Sequence, residues 1–455
     1  MRPSRVLVIT VLLCARSATG NDLVRLYRHA VEHDTVLTAA MYQRDAAIEA
    51  RPQALAQWLP QIGAQADAVR ERAGFETGAL LSSVAADCVL SSHGDSERCY
   101  GNAHAYGLTL TQTIWSWQQF NQLKEANLQA AGAQAMYLAA QQSLMLRLAK
   151  AYFAILAAQD QLATNRSARA AFGTLLQQAQ TREQTGVGPR SDVDQAQSFF
   201  DATDQGVIDA QNALDDAQLA LTELTGPRTA DVAPLQESMP LSSPEPASVD
   251  AWVLAALQDN PSVRASLLQV EADERDIGVQ RGKGLPTVTL NGSVSRLYQD
   301  QALGGDEPLD TVGVSFTWPL FQGGAVASAV RQSRAQSRQA RAEYETLQRD
   351  TERLTRAAYR NVVTGVQRIS VARQATDSGD RAVNASRRNL EFGTGSEFDL
   401  LNSQNNYYAA QRAYSQTRYD YLINMLTLKQ QAGRISEGDL ALVDRLLVDR
   451  EQGHE

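Results

Sequence analysis

Apolar side chains recur at every second position in four stretches of this chain. Ile62, Ala64, Ala66 and Ala68 alternate with Gln61, Gly63, Gln65 and Asp67, and Tyr106, Leu108 and Leu110 with Gly107, Thr109 and Thr111. Farther on, Val288, Leu290 and Val294 alternate with Thr289, Asn291 and Ser293, and Val312, Val314, Phe316 and Trp318 with Gly313, Ser315 and Thr317. Strict alternation predicts strands with one apolar and one polar face. They are expected at about 60–72, 104–115, 286–298 and 310–321.

Elsewhere the period is helical. The stretches Asp22–Trp58 and Val249–Arg281 predict helices, with Asp22 and Asp250 as their N-terminal caps. Long helices follow at about 117–187 and 326–391, where proline is absent and glycine scarce. Runs of that size make helices about 100 Å long at 1.5 Å per residue. Met145, Leu148, Tyr152, Ile155 and Leu162 fall at spacings of three and four or their sum, which is a coiled-coil seam flanked by alanine, glutamine and arginine. Gly186-Val187-Gly188-Pro189 and Gly393-Thr394-Gly395 then break the helices. Return helices are expected at 191–225 and 396–432.

The elements come twice in one order. Leu59-Pro60 matches Leu285-Pro286, and Ala30–Asp34 matches Ala256–Asn260. Tyr152 corresponds to Tyr359, Gly186 to Gly393, Asp192 to Asp399 and Gly226 to Gly433. A period of half the chain signals a duplicated domain. The copies are expected at 21–226 and 249–433, joined by a Pro- and Ser-rich linker at 227–248 and followed by a tail at 434–455.

Residues 1–20 read as a secretory signal peptide: Arg2 and Arg5, an apolar Val6–Cys14, and Ala18-Thr19-Gly20 before the cleavage point. That apolar run is too short to span a bilayer, and no other segment approaches a transmembrane helix. Composition adds little aromatic content and a net charge of −9, which argues against nucleic-acid binding. About ten residues of alternation is the length of an outer-membrane barrel strand, lipid on one side and water on the other.

Trp115, Trp117, Phe120, Trp318 and Phe321 cluster where the strands end. They are expected at a membrane interface; the alternative is core packing under a helix end. The first inter-strand loop is the longer one and carries Cys88 and Cys99, for which a disulfide is favoured over a metal pair with His93 or His104. His29 and His33 share a helical spacing without a third ligand nearby, so packed or solvated histidines are expected. No nucleophile–base set, phosphate loop or metal signature is present, and neither an enzyme nor a cofactor is expected.

Four strands cannot close a barrel, the smallest known having eight, and an open edge in lipid leaves backbone groups unsatisfied. A homotrimer would supply twelve. With its duplicated strand pairs, its paired glycine–aspartate turns and the ending Tyr419–Gly433, the chain resembles the TolC family of outer-membrane channel proteins over residues 22–448. The resemblance implies a mainly α fold with a membrane β-barrel, twelve-stranded in the trimer and continuous with a helical periplasmic tunnel. It implies a passive exit duct in the outer membrane of a Gram-negative bacterium, working with a periplasmic adaptor and an inner-membrane ABC transporter or other pump. The C-terminal segment looks most like the channels of type I protein secretion; small-molecule efflux is the alternative within the family. A secreted helical stalk with a small soluble β domain is the reading from another class.

The resemblance also places the periplasmic entrance and the adaptor contact at the hairpin tips, around Gly186, Gly188, Arg190, Asp192 and Asp194 and around Gly393, Gly395, Glu397, Asp399 and Asn402. Asp192 and Asp399 would form acidic rings about the axis; equally, each would stabilise a helix N-terminus, and Ser396–Asp399 has capping-box spacing. The family's tyrosine, arginine and second aspartate that hold the entrance shut are replaced by Leu390, Gly395 and Asn402, so a polar latch must use other groups, with Arg190, Asp194 and Glu397 as candidates.

Overall fold

Ile62, Ala64 and Ala66 stand directly opposite Leu110, Leu108 and Tyr106, and Leu108 opposite Val294. Directly paired residues share a sheet face, so the alternation seen along each strand becomes one apolar surface. The computed structural model describes residues 22–76, 96–226, 232–299 and 307–448. Its four strands, β1 (Gln61–Glu76), β2 (Ser96–Ser116), β3 (Thr287–Gln299) and β4 (Glu307–Thr317), form one antiparallel sheet in the order β1-β2-β3-β4. Val288, Leu290 and Gly292 face Phe316, Val314 and Val312 across the β3–β4 pair. The opposite face is polar: Asn291 donates to Ser315 at 2.8 Å, and Ser293 and Thr311 share a hydrogen bond of 2.7 Å.

Several strand boundaries differ from expectation, β1 running on to Glu76 rather than about 72 and β4 beginning at Glu307 rather than about 310. β2 starts at Ser96 rather than near 104, because backbone pairing with β1 continues through Ser96↔Glu76 where the side-chain alternation has ended. β4 stops at Thr317, and Trp318 and Phe321 lie beyond it, before a turn at Gly323-Gly324. Cys99 lies on β2 opposite Ala73, but Cys88 falls outside the described residues, so the expected disulfide is not shown. The expected signal peptide also falls outside them.

The opening helical stretches are segmented. The first comprises α1 (Asp22–His33), α2 (Thr35–Ile48) and α3 (Ala50–Ala56). Asp34 breaks it, accepting the Leu37 amide at 2.6 Å and pairing with Arg147 at 2.8 Å. After the helices α4 (Trp117–Gln184) and α5 (Arg190–Thr225), the second copy opens with α6 (Val249–Asp259) and α7 (Pro261–Gly282). Pro261 has no amide to continue the helix before it. Asp250 is not the cap of α6: Ser248 is, accepting from Ala251, while Asp250 in the first turn pairs with Arg356 at 2.9 Å. The second copy ends with α8 (Ala325–Glu391) and α9 (Glu397–Gln431). A short α10 (Glu437–Asp444) occupies the segment expected as a tail. Its buried Asp444 accepts the Leu23 and Val24 amides, capping α1. Among the described residues no helix is long and apolar enough to cross a membrane.

The described residues form two compact units, each drawing on both copies of the repeat. One lies within Met1–Ala40, Leu138–Pro261 and Arg349–Glu455, the other within Met41–Tyr137 and Ser262–Gln348. In the first, the predicted seam is the core: Leu148, Tyr152, Ile155 and Leu162 are buried. The duplication is visible in its joints too. Gly226 (φ 78°) closes on His33, and Gly433 (φ 69°) closes on Asp259, so each return helix ends where the opening helices of its copy break.

Candidate functional site

The two hairpin tips are built by the same backbone device. The amides of Val187 and Gly188 both donate to the Arg182 carbonyl, and those of Thr394 and Gly395 both donate to that of Asn389. Gly186 (φ 74°) and Gly393 (φ 73°) supply the left-handed residue that this helix ending requires. At Gly395 a Cβ would stand 2.9 Å from the Asn389 Cβ, and at Gly188 it would stand 3.2 Å from that of Arg182. A side chain at 395 would therefore press on Asn389, so the glycine lets this turn pack closely.

The helices leaving the tips start differently. Ser396 and Asp399 form a reciprocal capping box, Asp399 N donating to Ser396 Oγ at 3.1 Å and Ser396 N to Asp399 Oδ2 at 3.2 Å. The Ser396 hydroxyl also donates to Asp399 Oδ2 at 2.7 Å, and the hydroxyl and amide together hold the carboxyl below its ordinary range. In the first copy the cap position is Pro189, which offers no side-chain bond, and Asp192 sits in an uncapped first turn. The twin aspartates are therefore not equivalent. Asp399 is committed to its helix; Asp192 is not.

Among the latch candidates, Glu397 is buried and pairs with the Arg182 guanidinium, joining the start of α9 to the last turn of α4. Arg190 lies 3.9 Å from Glu183 and 4.0 Å from Asp194, in solvent. Exposed pairs of that length contribute about 0–1 kcal/mol, so the buried pair dominates. Behind it lies an apolar cluster of α4, α5, α8 and α9, with Phe172 stacked on Phe199 at 5.4 Å and Leu400 and Leu401 fully buried. Leu390 packs against this cluster, whereas Asn402 is exposed. Arg182 was absent from the sequence-based candidates. Its position in the last turn before Gly186 was visible, but its partner lies in the other copy.

In the second unit, Trp115, Trp117, Phe120, Trp318 and Phe321 are all substantially exposed, Phe321 at 87%. The apolar sheet face is open as well, with Ile62 73% and Val312 86% exposed.

A feature that sequence reasoning missed lies among α4, α7 and α8. Glu125, Asp273, Asp276 and Glu343 line a cavity of about 420 Å³ together with Gln269 and Ser333. Ser333, buried, donates to Asp276, and Gln129 donates to Glu125 at 2.9 Å. Burial, then the Asp276 and Asp273 charges, push the Glu125 carboxyl up to about 7. Four carboxylates on three helices leave no local motif to find. His33 Nδ1 lies 2.9 Å from the His29 carbonyl, and no group of side chains suited to a metal occurs among the described residues.

Residues 26–227 and 252–434 match the model of the outer membrane efflux protein family. The chain is 29% identical to outer membrane protein TolC of Vibrio cholerae over 92% of each. It is 27% identical to the alkaline protease secretion protein AprF of Pseudomonas aeruginosa, over 95% of this chain and 89% of that one. The fold matches the solved outer-membrane channel OprN with a TM-score of 0.77 at 20% identity, covering 91% and 90% of the two chains.

Proposed function

Because the chain belongs to the outer membrane efflux protein family, we propose that it is the exit duct of a tripartite export system, serving type I protein secretion. As an outer-membrane channel protein it sets its strands in that membrane and its helical part in the periplasm. The observation that carries the reading is the sheet. Its apolar face is open, its polar face is hydrogen-bonded within itself, and β1 and β4 are its two edges. Unpaired edges cannot rest in hydrocarbon, so other copies must pair with them. Three copies bring a twelve-stranded barrel of ordinary size, and their long helices enclose a water-filled tunnel. The exposed Trp115, Trp117, Phe120, Trp318 and Phe321 then lie at the membrane interface.

The tips form the periplasmic entrance. There the buried Arg182–Glu397 pair ties the two hairpins of one chain together, and Asp194 and Arg190 face solvent with Asp192 half-buried beside them, where cargo and a periplasmic adaptor would meet them. A passive conduit has no energy source, so an inner-membrane pump of the ABC type drives export through that adaptor. Similarity to a protease secretion protein along nearly the whole chain supports a protein cargo.

Deletion of the gene, with secreted proteins and sensitivity to toxic small molecules measured together, tests the assignment. Loss of one or a few secreted proteins with unchanged sensitivity is expected. Unchanged secretion with raised sensitivity would replace protein cargo by small-molecule efflux.

A further inference from the structure

The apolar face of the sheet carries one charged pair. Arg296 stands directly opposite Tyr106, and Val294 directly opposite Leu108. Direct partners and alternate residues share a face, so all four lie on the apolar side. Asp310, opposite Val294 on β4, lies there too, and Arg296 Nη1 donates to Asp310 Oδ1 at 2.9 Å. A charge on a lipid-facing side chain is costly at the middle of a membrane and cheap at its interface, so the pair marks a height.

Every strand meets a helix at one end: α3 precedes Gln61, α4 follows Ser116, α7 precedes Thr287 and α8 follows Thr317. With the helical part in the periplasm, the opposite ends of the strands point outward. On β3, Tyr298 lies ten residues beyond Val288, the direct partner of Trp115. Ten residues rise about 33 Å along a strand, or about 25 Å across a membrane at a tilt of about 40°. That is the height of the apolar band of an outer-membrane barrel. Trp115 therefore marks the periplasmic interface and Tyr298 the outer one.

Arg296 thus sits at the level of the outer headgroups. Tyr298 packs edge-on to Tyr106, with ring centroids 6.4 Å apart, and His104 stands directly opposite Tyr298. All three are exposed, as are Leu108 and Val294 on the side toward the helices. The contacts of Arg296, to Asp310 and to the Ser295 carbonyl, use Nη1 alone. Among the described residues Nε and Nη2 have no acceptor.

We propose that this cluster binds the phosphate of an anionic lipid in the outer leaflet, one per chain, with Arg296 as its main ligand. The proposal rests on the channel reading, which sets this face in lipid. A guanidinium matches a phosphate with two parallel N–H bonds, and Asp310 holds one edge of it while leaving the other open. Tyr106 and Tyr298 bring hydroxyl donors at headgroup level. The acyl chains lie over Leu108 and Val294. That apolar floor offers nothing to a dissolved anion, which favours a lipid over free phosphate.

The test uses the full-length trimer in detergent, titrated with a bis-phosphorylated lipid A, the same lipid without its phosphates, or phosphatidylcholine, and read by native mass spectrometry. Wild type should take up to three molecules of the phosphorylated lipid per trimer in preference to the other two. Arg296→Gln should bind it roughly tenfold more weakly, as expected for the loss of a charge-assisted contact. Asp310→Asn, which removes the competing carboxylate, should bind it at least as well as wild type. No preference in wild type, unchanged binding in Arg296→Gln, or loss of binding in Asp310→Asn would overturn the site. Displacement of the lipid by excess inorganic phosphate would assign the cluster to a free anion and overturn the lipid. A wild-type protein that is itself monomeric would instead overturn the channel reading beneath it.

Discussion

Glu397, the first residue of α9, is buried against the guanidinium of Arg182 in the last turn of α4. The two residues belong to different copies of the repeat, and their pair joins the two tips of one chain. Its partners are unequally placed: the Glu397 side chain is 1% exposed and that of Arg182 33%. Removing Arg182 therefore strands a carboxylate in the interior, whereas neutralising Glu397 leaves a guanidinium that can reach water. Arg182→Met should destabilise by about 3 kcal/mol, Glu397→Gln by clearly less. Denaturant unfolding checks the order; equal losses would contradict it. In bilayers, both variants should open more often than wild type.

Asp192 and Asp399 predict ion preference at the tips. Asp399 is tied to Ser396, and Asp192 is free of any capping bond. Asp192→Asn should lower cation selectivity with a smaller loss of stability than Asp399→Asn, since only its first-turn charge is removed. Asp399→Asn should lower both, the stability through the weakened capping box. Reversal potentials under a salt gradient read the first effect and thermal melts the second. Unchanged selectivity in the double variant would remove the acidic-ring role.

Glu125 predicts a dependence on pH. Its folded-state carboxyl is raised from 4.5 to about 7 by burial and by Asp276 and Asp273, so the folded protein holds a proton that the unfolded chain releases. Its contribution is full below about 4.5, declines as pH rises toward 7, and stays low above it. Wild type should lose thermal stability over that window relative to Glu125→Gln, whose melting should be flatter. Parallel pH profiles for the two would refute this.

Gly433 predicts a steric limit. Its φ is 69°, and a Cβ there would overlap the Asp259 carbonyl. Gly433→Ala combines a left-handed alanine, costing about 1 kcal/mol, with that clash, so a loss of roughly 2 kcal/mol or more is expected. The matching Gly226→Ala meets the His33 ring, a side chain that can turn aside, and should cost less. Melting temperatures of the two variants check the order.

Much of this architecture was legible because it lies in local periodicity. Ile62 to Ala68 and Val312 to Phe316 announce their strands by alternation, and Gly186 and Gly393 announce their turns by the φ they need. Ser96–Asn102 did not announce itself, since a ribbon held by backbone bonds beyond the apolar band needs no alternating side chains. Pro261 carried the signal that splits α6 from α7, but the helical pattern on either side masked it. At the tips, the Ser396–Asp399 box was readable from spacing alone. Arg182–Glu397 and the Glu125 cluster were not, because each depends on which helices become neighbours in space.

The central claim is that three copies close one water-filled pore. Single-channel recording in planar bilayers, on protein whose subunit number has been fixed by native mass spectrometry, tests it most directly. The account predicts trimers that give discrete conductance steps, with Arg182→Met open more often than wild type. A soluble monomer that leaves the bilayer silent would contradict it.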